Sequence, residues 1–276
     1  MAIDLNSIIN KQGIKSVSTE LLRRRSLIIK FAHNEAIPMD ELDRECIISF
    51  LEKWETPKKP DDIPGLMKTF FTSCFSYAPL RKYLTSIAGS IPTPDMLSPC
   101  LSQIYSEKSF LVHNNWQPKN LHTVVDNIQK RSHYDLKSNE FKPRMISVML
   151  SGSKVMNEKL KNGLAFFYKE LHEINNKPAK NIWDYLLEFP KNIHNVGSTL
   201  ICDFIKGVGY ENFVKVDHHF KKEFPQLLGF ANCNKLTAKE HFILSRYITE
   251  LLNISPFHLD HLLYQWGRYK KYEHWA

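Results

Sequence analysis

Glycine is scarce in this chain, 10 in 276 residues, and alternating polar–apolar runs are nearly absent. A sheet-based fold is therefore not expected, because turns and half-buried strands leave both signatures. The five cysteines, Cys46, Cys74, Cys100, Cys202 and Cys233, are odd in number and form no C-x-x-C pair. That argues against a zinc site or a cluster-binding motif and for reduced, mostly buried thiols. No cofactor and no metal are expected. No apolar run reaches the length of a membrane span. The opening residues, MAIDLNSIINKQG, lack the basic-then-apolar pattern of a secretion signal, so the cytoplasm (the nucleoid, in a bacterium) is the expected compartment. No internal repeat or low-complexity stretch is found.

What is present is a basic, ordinarily apolar chain. Apolar residues make up 43% and charged residues 24%, enough to bury a large core without a disulfide. The formal charge is +8. Such a balance favours anionic partners, nucleic acid first among them, against the plainer reading of an inert basic surface.

The pattern reads as helices throughout. Residues 18–34 and 38–53 form two early ones, with Pro38 in the first turn of the second. A proline-rich connection covers 56–65, and short helices fill 65–107. Leu121, Val124, Val125 and Ile128 mark one face of a helix over about 119–131. Met156, Leu160, Leu164, Phe167 and Leu171 mark a longer one, and Ile182, Leu186 and Phe189 another, which Pro190 ends. Thr237 and Glu240 form a capping box for a helix to about Leu252. Ser255-Pro256 opens the next, with Leu259, Leu262, Leu263 and Trp266 as its buried stripe. The change in pattern clarity divides the chain into residues 1–109 and 110–276.

Residues 186–220, LLEFPKNIHNVGSTLICDFIKGVGYENFVKVDHHF, are the informative stretch. They read as helix, short turn, helix, loop and an aspartate at the start of a further helix, with the hairpin over about 182–206. The second helix begins near Ser198 and is broken by Gly207 and Gly209. A tight turn exposes the unpaired N–H groups of that helix, and with its dipole they make a site for a DNA phosphate. Gly197 has no side chain to stand in the way. Asp217 by itself reads as a helix cap.

The stretch resembles the helix-hairpin-helix plus Gly/Pro…Asp motif of the DNA glycosylase superfamily, which includes endonuclease III, the adenine-mismatch glycosylases and the alkyladenine glycosylases. Ile193-His194-Asn195-Val196-Gly197 stands at the hairpin and Val216-Asp217-His218-His219 at the aspartate, twenty residues after Gly197. The match is strong over about 160–225, extends more weakly over 110–270, and says little of residues 1–109. Two positions depart from the usual L-P-G-V-G wording. Asn195 replaces the first glycine and tolerates left-handed angles better than most residues. His194 replaces the proline, and either loosens the turn or adds a phosphate contact.

The resemblance implies an all-α fold of two helical subdomains flanking a cleft, a monofunctional glycosylase without an iron–sulfur cluster, and double-stranded DNA as partner of a monomer. Asp217 would stabilise the oxocarbenium-like transition state or activate water. His194, Asn195, Val196, Gly197, Ser198 and Thr199 would hold the backbone, with His219 supporting the aspartate or the phosphate. Bifunctional members carry a lysine where Thr199 stands, so no lyase step is expected. Lys206 and Lys215 are solvated charges on this reading. A flipped base needs an aromatic partner: Phe110, His113, Trp116 and Tyr210 are candidates, Trp116 and Tyr210 being preferred. Adjacent His218 and His219 point about 100° apart on a helix, which disfavours a shared metal. The tail, Arg268 to Tyr272, is either a phosphate contact or a solvated end. Two rivals stand beside this reading: a DNA-binding helix-hairpin-helix protein without catalysis, and a helical adaptor between proteins. The target base is open, from damaged bases to modified phage bases in a defence role.

Overall fold

The computed structural model describes residues 11–75, 141–229 and 236–275. Among them every regular element is helical. Ten α-helices follow in order: α1 Lys11–His33, α2 Glu41–Ile47, α3 Ile63–Phe75, α4 Phe141–Leu160, α5 Leu164–Asn175, α6 Ala179–Glu188, α7 Ser198–Gly207, α8 His218–Leu228, α9 Ala238–Leu252 and α10 Pro256–Tyr269. A π turn, Ile48–Glu52, continues α2, and a 3₁₀ segment, Lys270–Trp275, continues α10. The expected boundary at residue 109, the helix at 119–131, and Cys100 and Cys233 lie outside the described residues.

The chain sorts into two compact units that interleave in sequence. Unit 1 comprises Met1–Pro57, Asn175–Trp183 and Tyr210–Ala276; unit 2 comprises Lys58–Ile174 and Asp184–Gly209. In unit 1, α10 packs on α1, α8 and α9, and α1 also meets α2 and α8. Leu259, Leu262, Leu263 and Trp266 are all buried on α10, the stripe that their spacing dictates. Ser255 caps α10 through the His258 N–H, and the Thr237–Glu240 capping box opens α9.

Unit 2 is built on rings. Phe204 of α7 meets Phe70 of α3 edge-on at 5.2 Å and stacks with Phe167 of α5 at 6.4 Å. Phe189 closes the same cluster at 6.3 Å from Phe204. Cys74 and Cys202 are buried here, and neither is joined in a disulfide. Burial holds the Cys74 thiol well above the usual thiol range.

Three local expectations change. Helix α2 starts at Glu41, because the Asp40 carboxylate accepts the Leu42 N–H at 3.0 Å, leaving Pro38 ahead of the helix. The proline-rich connection is shorter: Asp62 accepts the Gly65 N–H at 2.8 Å and starts α3 at Ile63. The stripe from Met156 to Leu171 belongs to two helices, since Gly163 adopts φ +89° between α4 and α5. The buried residues keep their spacing across that break, so periodicity alone read through it.

Candidate nucleic-acid interface and carboxylate

In unit 2 the chain leaves α6 at Glu188 through overlapping tight turns. The N–H of Lys191 donates to Glu188 O at 3.1 Å, that of Ile193 to Pro190 O at 2.8 Å, and that of Val196 to Ile193 O at 3.3 Å. Ile193 and Val196 are buried and anchor the turn, while His194, Asn195 and Gly197 stand exposed between and after them. Asn195 takes φ +60°, the left-handed conformation that a glycine would usually supply. Gly197 sits at φ −109°, ψ 176° as the residue before α7, with no side-chain cap, and its carbonyl accepts from Leu200 and Ile201.

The N–H groups of Gly197, Ser198 and Thr199 carry no hydrogen bond among the described residues. A Cβ built at Gly197 would meet nothing within 4 Å. The space beside Gly197, at the positive end of α7, is therefore open. His194 does not loosen the turn. Its N–H donates to Ser151 Oγ at 3.0 Å, and its Nδ1 lies 3.1 Å from Ser147 Oγ, so two serines of α4 tether it. Those serines carry no motif of their own, and only the fold could reveal them.

The chain enters unit 1 at Tyr210, seven residues before Asp217. Phe213, Val214 and Val216 are buried in this loop. The Phe257 N–H donates to Glu211 O at 2.9 Å, and the Lys215 N–H to Asp260 Oδ2 at 2.9 Å, fixing the loop to the start of α10. Asp260 is 5% exposed and was not singled out from the sequence. Asp217 follows at φ −94°, ψ −170°, where its Oδ1 accepts the Phe220 N–H at 3.0 Å. The cap is thus real. The second carboxylate oxygen has no partner among the described residues, and the side chain is half-buried.

His219 rests edge-on against Tyr264 of α10, ring centres 5.4 Å apart. A Cβ on Gly267 would lie 3.2 Å from its Nδ1, so α10 leaves room for this ring. His218 is exposed, and no metal-holding group of side chains occurs among the described residues. Tyr210 is 3% exposed, and burial pushes its phenol up to about 12, so its ring is held in the core of unit 1. Phe110, His113 and Trp116 lie outside the described residues.

Several of the remaining cations are engaged within the fold. Lys206 is not a solvated charge: its side chain is 12% exposed and its ammonium lies 3.9 Å from Asp203. Lys215 is half-buried. In the tail, Arg268 pairs with buried Asp43, and Lys270 reaches both oxygens of buried Glu223 at 2.8 and 2.9 Å. These two bases serve the fold, and Lys271 remains exposed. Compared with family models, curated proteins and solved structures, the chain finds no match.

Proposed function

We propose that the chain is a monofunctional DNA N-glycosylase. The observation that carries the reading is the pair of local geometries. A hairpin leads into α7, where the N–H groups of Gly197, Ser198 and Thr199 carry no hydrogen bond, and a helix-capping aspartate with one uncommitted oxygen follows twenty residues after Gly197. The first suits a phosphate of the DNA backbone, held without reading sequence. The second suits the positive charge that develops on a sugar as its glycosidic bond breaks. Cap and catalyst are compatible roles, because the cap fixes the orientation of the carboxylate that the chemistry uses. Thr199 offers no amine, so the product is an abasic site and not a Schiff base. The substrate is duplex DNA whose damaged or modified base leaves the stack.

The test is base release from duplexes carrying alkylated, oxidised, deaminated, mismatched or phage-type modified bases, followed by alkali. Wild-type protein should give alkali-dependent breaks. Asp217→Asn should lower release by roughly 10²-fold or more and keep the fold, since asparagine caps helices as well as aspartate does. Duplex binding with no release from any substrate would replace this reading with a non-catalytic DNA-binding module.

A further inference from the structure

Three non-glycine residues among those described have positive φ: Asn195, Asn253 and Trp54. Asparagine adopts that conformation readily; a bulky aromatic residue does not. Trp54 sits at φ +57° just after the π turn Ile48–Glu52, where the Glu55 N–H reaches back to Ser49 O at 2.9 Å. Glycine would close this helix end without strain. The indole is nevertheless held firmly. The Arg25 guanidinium lies 4.5 Å from its ring centre, and His258 meets it at 4.6 Å and 72°. Each holder is itself fixed. Arg25 donates to Leu51 O at 2.6 Å and Glu52 O at 3.3 Å; His258 bridges Ser255 Oγ at 2.6 Å and Glu55 O at 3.2 Å. Despite this mount, Trp54 remains 39% exposed.

We propose that Trp54 is a stacking post for an unpaired nucleobase, with Arg25 behind it as the partner of the adjoining phosphate. The proposal rests on the nucleic-acid half of the reading above and not on the chemistry at Asp217. Strained backbone persists where the side chain has a task that offsets its cost. An exposed, immobilised indole offers a π surface to any base with little entropy left to lose. Arg25 keeps Nη1 without a hydrogen bond while its other donors hold the turn. The net charge of +8 favours a polyanion as the chain's partner.

The experiment compares the full chain with Trp54→Asn and Asp217→Asn. It reads affinity for a single-stranded oligothymidylate, quenching of tryptophan emission on binding, thermal stability and base release. Asparagine accepts the left-handed angle, so Trp54→Asn should melt near the wild type. Its single-strand affinity should fall roughly tenfold, and much of the quenching should vanish. Wild-type affinity and quenching in Trp54→Asn would overturn the proposal and reduce Trp54 to a helix terminator, whether or not Asp217 releases bases. A Trp54-dependent quench without base release would keep the post and remove the glycosylase. Absence of any nucleic-acid binding would remove the post.

Discussion

The two units are filled by different chemistry. Every charged or histidine side chain buried among the described residues belongs to unit 1: Arg24, Asp43, Glu223, His241, His258 and Asp260. The buried polar residues of unit 2 are Ser73 and Ser153, and its interior is the ring cluster around Phe204. Aromatic packing is tolerant of pH and salt, because it has no proton to gain or lose. A core stitched by ion pairs and buried imidazoles is conditional on protonation and intolerant of losing one partner. The candidate phosphate anchor stands in the first kind of unit, and the candidate carboxylate in the second.

The largest expected effects come from breaking each core by its own logic. Phe204→Ala should cost about 3–5 kcal/mol, from lost burial and the cavity left behind. Asp43→Ala should cost a similar ~3–5 kcal/mol by another route, leaving Arg268 without its buried partner and the Tyr269 hydroxyl without its acceptor. Asp43→Asn keeps an acceptor for Tyr269 and should cost less. Urea melts at two pH values check this. A Phe204→Ala loss that varied strongly with pH would erase the contrast between the units.

Acid should separate the units next. Burial lowers the affinity of the His241 and His258 rings for a proton, so their folded-state values lie below the unfolded 6.5. The unfolded chain then binds protons that the fold refuses, and stability falls as pH drops below about 6.5. Glu20 adds a second loss. Hydrogen bonds from Arg23 and Arg24 lower its carboxyl from 4.5 to about 2, so its contribution is present above 4.5 and fades as pH falls towards about 2. Hydrogen exchange followed by mass spectrometry should show peptides of α9 and α10 losing protection before those of α3 and α7. Earlier loss in α7 would contradict this order.

Much of this fold was written in local signals. The Thr237–Glu240 box, Ser255-Pro256 and the apolar stripe of α10 each name a helix end or a buried face, and each appears where it was read. The hairpin was legible for the same reason: Gly197 and the apolar residues around it act within a few positions of one another. What escaped was non-local or context-dependent. Asp43 and Glu223 look like surface acids until Arg268 and Lys270, more than forty residues away, bury them. Ser147 and Ser151 acquire meaning only when His194 is folded against them. Nothing in the order Lys53-Trp54-Glu55 announces a left-handed tryptophan, because its backbone angle is imposed by the π turn before it and the clamp around it.

The smallest effect is the most diagnostic of the hairpin. Asn195 and Gly197 are two residues apart, yet their backbones make opposite demands. At Asn195 the φ of +60° is left-handed, so Asn195→Ala should cost about 1 kcal/mol of stability, whereas Asn195→Gly should be neutral or slightly stabilising. At Gly197 the backbone is extended and a Cβ finds open space, so Gly197→Ala should fold and melt like the wild type. If that open space is where a phosphate approaches the N–H groups of Ser198 and Thr199, the added methyl group should still weaken duplex binding several-fold. Fluorescence anisotropy with a labelled duplex, beside thermal melts of the three variants, separates the two demands. Unchanged binding by a stable Gly197→Ala protein would mean that the N–H groups at the start of α7 do not hold the DNA backbone.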